Sequence, residues 1–212
     1  MTRTIEELAD RVERYLNTIS ENGVFDESKD IELIIDGIAS AYDAILPWTP
    51  QLLTETIAAG STEHTLPDDL YAIEAVMDQE TNEVISKLLL EPGTVSKSQY
   101  WIQFPTGSIT FKEELSNDCT LYYLAYWDKP EEEGDLEGDF EPPAFCITPM
   151  AYFATAYVLM PDSVQTSEIR QFNVKADSGN PEHNPIEESV KFLMTLFIQG
   201  MEMHPSHQKA RM

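Results

Sequence analysis

The segment from Leu121 to Met160 constrains the fold more than any other part of the chain. It begins with a tyrosine-rich apolar run, residues 121–127, that is typical of a β-strand, and ends with an apolar stretch, Ala144 to Met160, that predicts a packed helix. Between them, Asp128 to Glu141 carries eight carboxylates and a single basic residue, Lys129, so we expect an extended, solvated loop. This order is typical of a component of an assembly rather than of a catalytic loop.

The composition predicts a folded and strongly acidic protein. Of 212 residues, 42% are hydrophobic and 10% aromatic, which suffices for a core in one domain or in two small ones. The formal net charge is −25, and only 13 residues are Lys or Arg. Phosphate binding needs clustered cations, so the charge argues against nucleic acid as a bound partner and against docking on anionic membranes.

Cysteine usage and hydropathy indicate a soluble protein made in a reducing compartment. Cys119 and Cys146 lie in apolar surroundings, which predicts buried, reduced thiols. The opening residues, Met1 to Asp10, are charged and amphipathic and lack the apolar core of a signal peptide. No run reaches the roughly 18 apolar residues of a membrane span, and the strongest candidate, Phe145 to Met160, is short and interrupted by Pro149.

Helical periodicity marks the two ends of the chain. A capping box, Thr4 to Glu7, precedes an amphipathic helix, and a second helix is expected from Ser28 to Pro47. The next segment, Trp48 to Gly60, predicts a turn with a short helix or an irregular arm. Near the other end, Ile186 to Met203 predicts a last helix, and His204 to Met212 a polar, mobile tail.

The spacing of apolar residues changes from helical to strand-like at Ser61 and returns to helical after Pro143. Short runs that favour strands are separated there by turn residues, and Pro105-Thr106-Gly107 predicts a hairpin between two of them. The expected strands are Leu70–Met77, Asn82–Leu90, Tyr100–Phe104, Ser108–Lys112 and Thr120–Trp127. Leu70 to Leu90 also fits a helix, but Val76, Val84 and Ile85 favour strands. Residues 164–174 fit either a helix or an extended arm, and residues 177–185 predict a loop.

These patterns predict an α+β fold. The N- and C-terminal helices, residues 1–60 and 143–203, are expected to form a helical bundle into which a β-rich subdomain, residues 61–127, is inserted. An acidic loop over residues 128–142 leads back to the helices, and residues 204–212 follow as the tail.

No pattern of residues predicts catalysis or metal binding. The acidic run lacks the ligand spacing of a calcium loop, and His204 and His207 lack further ligands for zinc. No phosphate-binding loop, dinucleotide fingerprint, nucleophile elbow or zinc-protease motif is present. The aromatic residues Trp101, Trp127 and those of the Tyr122–Tyr126 cluster fit core or interface positions better than a ligand platform.

The whole layout resembles the head-to-tail adaptor (connector) proteins of tailed bacteriophages. The strand entry Thr65-Leu66-Pro67-Asp68-Asp69-Leu70-Tyr71-Ala72-Ile73 runs into Ile73-Glu74-Ala75-Val76, which is similar to the family's I-x-x-V pattern. A strand with spaced tyrosines, an acidic loop ending in Pro142-Pro143 and an apolar helix then follow, over Leu121 to Tyr157. The resemblance extends over most of the chain.

The resemblance implies a structural, non-enzymatic virion protein. It implies a homo-oligomeric ring, commonly of twelve copies, that lies in the neck between capsid and tail after synthesis in the host cytoplasm. The ring would bind the portal protein and a tail or tail-nozzle protein and extend the channel through which DNA passes without specific binding. It implies no cofactor and no membrane. An acidic channel wall fits this role because it repels phosphates.

The resemblance also suggests which residues make contacts. Adaptors commonly dock through their C-terminal region, so the candidate portal-docking residues are Ile186, Phe197, Met201, His204, Lys209 and Arg211. Tyr122, Tyr126 and Trp127 are the candidate interface aromatics.

Two other functions stay open. The first alternative is an acidic inhibitor that mimics DNA and occupies a basic nucleic-acid-binding protein; it would stay monomeric or dimeric. The second is a small hydrolase, which is disfavoured because no set of nucleophile and base can be named.

Overall fold

The computed structural model describes residues 3–19, 27–87, 100–104, 107–160 and 185–204. These residues contain four helices and seven β-strands, so the predicted α+β class is confirmed. The chain divides into two compact units: a helical unit, residues 1–49 with 127–212, and a sheet unit, residues 50–126. The first boundary therefore lies at residue 49 and not at residue 60, and the acidic segment belongs to the helical unit.

The helical unit contains four helices around one apolar core. They are α1 (Ile5–Ile19), α2 (Glu27–Ile45), α3 (147–160) and α4 (Pro185–Glu202). At the start of α1, the hydroxyl of Thr4 accepts a hydrogen bond of 3.3 Å from the backbone N–H of Glu7, as the capping box predicts. Among the described residues, no helix is both long and apolar enough to cross a membrane.

The amphipathic face of α1 shows how the helical core is built. Its buried side chains, Leu8, Val12 and Leu16, recur at helical spacing and pack in the same cluster as Ile38 of α2. Rings extend the packing between helices: Tyr15 stacks on Tyr152 at 5.3 Å between ring centroids. Most of the stability of such helices comes from this buried face rather than from helix propensity.

The start of helix α3 is compatible with its two nearby prolines, Pro143 before the helix and Pro149 in its first turn. A 3₁₀ turn, Ala144–Cys146, follows Pro143 and leads directly into the helix at residue 147. Pro149 is the third residue of α3, and the first N–H groups of a helix have no acceptor inside it. The missing N–H of Pro149 therefore breaks no helical hydrogen bond, and the helix continues to residue 160.

Two glycines allow helices of this unit to approach closely. A Cβ atom at Gly200 of α4 would lie 2.7 Å from Cγ of Pro149, and one at Gly37 of α2 would lie 3.0 Å from the carbonyl oxygen of Ala154 in α3. Both distances are shorter than van der Waals contact, so α3 packs against backbone at both positions.

The sheet unit contains seven strands in the spatial order β1-β7-β3-β4-β5-β6-β2. All neighbours are antiparallel except β4 and β5. The strands are β1 (Gln51–Ile57), β2 (Glu63–Thr65), β3 (Leu70–Asp78), β4 (Val84–Lys87), β5 (Tyr100–Phe104), β6 (Ser108–Phe111) and β7 (Cys119–Ala125).

The strand predictions hold with one correction. Strands β3 to β7 fall within a few residues of the expected runs, and β5 pairs with β6 from Phe104 to Ser108, as the hairpin prediction requires. The segment Trp48 to Gly60 was expected to form a short helix or an irregular arm, and this prediction is wrong. It contains β1, whose whole length from Gln51 to Ile57 pairs with β7.

The sheet must curl, because β1 and β2 are consecutive in the chain but lie at opposite ends of the strand order. A flat sheet of seven strands is about 29 Å wide at roughly 4.8 Å per gap. The chain from Ile57 to Glu63 reaches only about 20 Å when fully extended. The first and last strands therefore approach each other around the apolar interior, which contains Trp101 and Leu121.

Several expectations lie outside the described residues. These are the segment over residues 163–184 and the tail after residue 204.

Candidate functional site

The acidic segment, residues 128–141, is folded rather than extended. It forms a 3₁₀ turn, Glu133–Glu137, and the carboxylate of Asp135 accepts hydrogen bonds from the backbone N–H groups of Glu131 at 2.8 Å and Glu132 at 3.0 Å. These two N–H donors lower the pKa of Asp135. The prediction of an extended loop is wrong because two apolar residues of the segment, Leu136 and Phe140, are buried in the helical core.

Backbone hydrogen bonds fix this segment to the start of α1. The N–H of Ile5 donates to the carbonyl of Gly138 at 3.0 Å, and the N–H of Phe140 donates to the carbonyl of Arg3 at 2.8 Å. Lys129 adds an ion pair of 2.8 Å with Asp43 of α2. The charged side chains of the segment are exposed, while its backbone is hydrogen-bonded to residues at the start of α1.

A cleft of about 620 Å³ lies between this segment and the first turn of α1. Ile5 and Lys129 contribute to its wall, together with five carboxylates: Asp128, Glu131, Asp135, Asp139 and Glu141. The cleft attracts cations and repels phosphates. Among the described residues, however, no three His, Cys, Asp or Glu side chains converge on a point where they would hold one metal ion.

The hydroxyl of Tyr42 is buried and has no hydrogen-bond partner among the described residues. Tyr42 is fully buried, and its ring meets that of Phe140 edge-on at 6.2 Å. Burial raises the pKa of Tyr42, and the negative charges of Glu141 and Asp128 raise it further. The phenol therefore stays neutral and cannot serve as a base at neutral pH.

The candidate docking residues of α4 do not form one surface. Phe197 and Met201 are 3% and 0% exposed, and both pack in the helical core. Burial removes these two side chains from any docking surface in this conformation. His204 is exposed and stacks on Phe145 at 4.1 Å between ring centroids. Ile186 belongs to α4, although its side chain is outside the described part of the structure, as are Lys209 and Arg211 entirely.

Other apolar residues of α4 are exposed instead. Phe192 is 63% exposed, Met203 is 80% exposed, and Ile198 is exposed as well. Helical spacing places Phe192 and Met203 on one side of the chain and Ile198 about a third of a turn away, on the opposite flank of the stripe that contains Phe197 and Met201. We call Phe192 and Met203 the helix patch.

The candidate interface aromatics have three different environments. Trp127 is half-buried and donates its indole N–H to the carbonyl of Thr49 at 2.7 Å, within the helical unit. Tyr122 is half-buried on β7. Tyr126 is exposed and meets the ring of Tyr71, also exposed, edge-on at 5.5 Å. Only Tyr126 of the three offers a freely accessible ring.

Leu52, the exposed leucine of β1, is on the same side of the sheet as Tyr126. Leu52 pairs in register with Leu124, two residues before Tyr126, so alternation places Leu52 and Tyr126 on the same side of the sheet. Leu52, Tyr71 and Tyr126 are called the sheet patch below. The sequence pattern does not mark Leu52 as exposed, because β1 was not predicted to be a strand.

The interior of the sheet unit contains polar side chains that no motif marks. His64 lies on β2, and its Nε2 atom is 3.4 Å from Oε2 of Glu55 on β1. The buried phenol of Tyr123 is near Asp69, and burial, followed by the charges of Asp69 and Glu55, raises the pKa of Tyr123. The one cysteine of the unit, Cys119, is buried.

Both cysteines are free and buried, as predicted. Burial raises the pKa of each thiol to about 11, for Cys119 in the sheet unit and for Cys146 in the helical unit. The hydroxyl of Thr49 lies 3.8 Å from the sulfur of Cys146 and opposes this shift only weakly. Thiols that stay protonated are poor nucleophiles, so neither cysteine is a candidate for covalent catalysis.

Comparison of the sequence with models of protein families and with curated proteins finds no match.

Proposed function

We propose that this protein is a structural head-to-tail adaptor that forms a ring beneath a phage portal and has no catalytic step. The observation that carries the proposal is a pair of exposed apolar patches, one on each unit, in a chain of formal net charge −25. Large exposed apolar side chains mark interaction sites on soluble proteins. A protein with one such patch on each unit is suited to binding two different neighbours.

The helix patch supports contact with a partner through the C-terminal region. Phe192 on α4 and Met203, directly after it, are exposed, while Phe197 and Met201 hold the same helix in the core. The partner therefore meets side chains whose backbone is already fixed, which lowers the entropic cost of association. In the proposed assembly this partner is the portal protein.

The sheet patch supports contact between copies or with the tail. Tyr71 and Tyr126 are rigid, amphipathic rings of the type enriched at interface hot spots. Leu52 lies on the end strand β1, which pairs only with β7 among the described strands. A neighbouring subunit in a ring would cover this side of the sheet.

The charge distribution supports passage of DNA without binding. The carboxylates of the acidic segment are exposed, and the segment is held in one conformation by the contacts of Leu136 and Phe140. A rigid, negative wall repels phosphates over about 10 Å at moderate salt. The proposed ring would take twelve copies, by its resemblance to the adaptor family.

Native mass spectrometry and electron microscopy of the chain with its cognate portal protein test the proposal. We expect rings of the 24.0 kDa chain, alone or on the portal. Phe192→Ser should reduce portal binding at least about tenfold, the loss of one hot-spot side chain, while the matched control Gln199→Ser on the same helix should not. A chain that stays monomeric in the presence of the portal would overturn the proposal.

Truncation after Met203 tests whether the C-terminal tail contributes to portal binding. It removes His204, Lys209 and Arg211 but leaves the helix patch intact. Particles that lose the truncated chain or their packaged DNA would support docking through the tail. Particles that retain both would restrict the docking surface to α4.

The DNA-mimic alternative has one observation in its favour. A mimic needs carboxylates that are ordered in space, and the acidic segment is folded and held on α1 and α2. The size of the protein in solution separates the two functions. A monomer or dimer that saturates a basic nuclease would favour the mimic, and a ring would favour the adaptor.

A further inference from the structure

The acidic cleft keeps negative charge that the described part of the chain does not neutralise. Its lining includes five carboxylates and one cation, Lys129, whose ammonium group pairs with Asp43 of α2. Of the five, Asp135 accepts hydrogen bonds from two backbone N–H groups of its own segment. The other four form no ion pair within the described residues: Asp128, Glu131, Asp139 and Glu141. The cleft therefore attracts further positive charge.

The size of the cleft favours side chains over a single ion. Its volume of about 620 Å³ is large for one metal ion, and among the described residues no three His, Cys, Asp or Glu side chains converge on a common point. Carboxylates that are spread along a wall match separate ammonium and guanidinium groups, each of which donates N–H bonds to one carboxylate. The ligand class that fits the cleft is therefore a peptide segment with Lys and Arg side chains.

A buried hydroxyl near the cleft also lacks a partner. Tyr42 is 1% exposed, and its hydroxyl oxygen has no hydrogen-bond partner among the described residues. Its ring meets that of Phe140, which lies in the chain between two residues that line the cleft. After burial, the charges that raise the pKa of Tyr42 are those of Glu141 and Asp128, and both residues line the cleft. The hydroxyl is therefore close to these carboxylates, where an N–H donor in the cleft would complete its hydrogen bonding.

The C-terminal segment of the chain carries the matching charge. Residues 203–212 contain Lys209 and Arg211 and no Asp or Glu, in a chain with 38 acidic and 13 basic residues. Residues 205–212 lie outside the described part of the structure. Because the attraction between opposite charges falls with distance, the position at which the segment starts decides which carboxylates it meets.

The start of this segment is close to the cleft. His204 stacks on Phe145 at 4.1 Å between ring centroids, and Phe145 comes four residues after Glu141, which lines the cleft. Four residues extend at most about 14 Å, and the five from His204 to Lys209 at most about 18 Å. With the length of its side chain, Lys209 therefore reaches the cleft of its own chain, and Arg211 has a longer reach still.

We propose that the acidic cleft binds the C-terminal segment of its own chain, in which Lys209 and Arg211 pair with the cleft carboxylates. The hydroxyl of Tyr42 gains an N–H donor from the bound segment. The two cations are then held by their own chain, and another molecule binds them only where its negative charge competes with that of the cleft. This binding is independent of the proposed adaptor function, since it involves one chain alone.

Carbodiimide cross-linking of the full-length chain tests the binding. The reagent joins a lysine amine to a nearby carboxylate as an amide, with loss of water. Mass spectrometry of the digested product should show Lys209 joined to carboxylates of the cleft at about 0.1 M salt, and at least about threefold less of this product at about 1 M salt. The pair of Lys129 with Asp43, 2.8 Å apart, is the positive control for the reagent. Links from Lys209 that are absent, or as frequent to Glu6 and Glu13 on the exposed face of α1, would overturn the proposal.

A denaturing gel of the same product separates binding within one chain from binding between copies. A link within one chain leaves the product at the 24.0 kDa of the single chain, whereas a link between copies doubles its mass. We expect the links from Lys209 to the cleft in the band of the single chain. Their presence only in the band of doubled mass would mean that the cleft binds the segment of a second copy, and this result would overturn the proposal.

Hydrogen exchange in full-length variants gives a second measurement. The tail variant is Lys209→Gln with Arg211→Gln, and the cleft variant is Asp139→Asn with Glu141→Gln. Each should speed the exchange of amides in residues 131–140 about two- to fivefold, as expected for the loss of partly exposed ion pairs. The two changes together should have little more effect than either alone, because both remove the same contact.

A variant with the same change of charge elsewhere supplies the control for this measurement. Asp10→Asn with Glu13→Gln removes two exposed carboxylates of α1 that do not line the cleft, so it should leave exchange in residues 131–140 unchanged. Fully additive effects of the tail and cleft variants, or no effect of the tail variant, would contradict binding of the segment in the cleft.

Discussion

The two units differ in where their buried polar atoms without a hydrogen-bond partner lie among the described residues. In the helical unit, Nε of Arg11 and the hydroxyl of Tyr42 lie on two different helices. In the sheet unit, Oε2 of Glu55 and Nε2 of His64 lie 3.4 Å apart on β1 and β2. The comparison teaches that the two groups of the helical unit can be removed independently, whereas removing one group of the sheet unit changes the surroundings of the other.

The largest expected effect tests whether the units unfold separately. Ile38 of the helical core and Leu121 of the sheet interior are fully buried, so each truncation to Ala should cost about 2–5 kcal/mol. Pulse labelling of thiols in urea assigns the loss, since Cys119 reports on one unit and Cys146 on the other. We expect Leu121→Ala to expose Cys119 first and Ile38→Ala to expose Cys146 first. The exposed Val84→Ala serves as the control, and simultaneous exposure in both variants would show one cooperative unit.

The two thiols themselves give the next prediction. Burial raises the pKa of each to about 11, against about 8.5 for a free thiol, so at pH 8 both should react with disulfide reagents at least roughly 100-fold slower than in urea. Native thiols keep protons that the unfolded chain loses, so stability should fall as pH rises above about 8.5. Rates measured with Cys119→Ser and Cys146→Ser separate the two sites. A fast native thiol would show that its unit opens locally.

The close packing of the helical unit is tested at Gly200. A methyl group there would meet the ring of Pro149, so Gly200→Ala should destabilise by about 1–3 kcal/mol, reduced by the better helix propensity of Ala. Gly134→Ala is the matched control, because its added atom meets nothing closer than 3.9 Å. Urea unfolding followed by circular dichroism measures both. Equal stability of the two variants would mean that α3 and α4 separate without cost.

A smaller effect is expected at the unpartnered hydroxyl of Tyr42. Removing it in Tyr42→Phe should leave stability unchanged or raise it by up to about 1 kcal/mol, because the buried O–H lacks an acceptor. Thermal unfolding checks this. A clear loss of stability would show that the hydroxyl is hydrogen-bonded, for example by a water molecule from the acidic cleft.

The smallest expected signal is the heat of calcium binding to the acidic segment. Its carboxylates are exposed and do not converge, so calorimetry should detect no tight, stoichiometric binding. Tight binding that Asp135→Asn with Asp139→Asn abolishes would refute this prediction.

The fold was predictable where local signals agreed with burial. Thr4 and the apolar face of α1 predicted that helix, and Val76 and Val84 predicted strands β3 and β4. Strand β1 was missed because its inward face contains Glu55, which breaks the expected alternation. The acidic segment was misjudged because its many carboxylates concealed Leu136 and Phe140, whose burial decides its conformation.

The candidate site was less predictable than the fold. The burial of Phe197 and Met201 follows from the stripe they share, so helical periodicity alone could have assigned them to the core. The contact of His64 with Glu55 has no local signal. It exists only because the sheet curls, and that follows from the strand order and the short connection between β1 and β2.

The insertion of the sheet unit has a consequence for the order of folding. Helices α1 and α2 precede it in the chain and α3 and α4 follow, so a chain growing from its N-terminus completes β7 before the second half of the helical core exists. Pairing of Gln51 with Ala125 then brings the two exits of the sheet unit together, and Trp127 can donate to Thr49. Closing this loop as an unfolded chain would cost roughly 4 kcal/mol of entropy. A sheet unit that folds first removes this cost from the assembly of the helices.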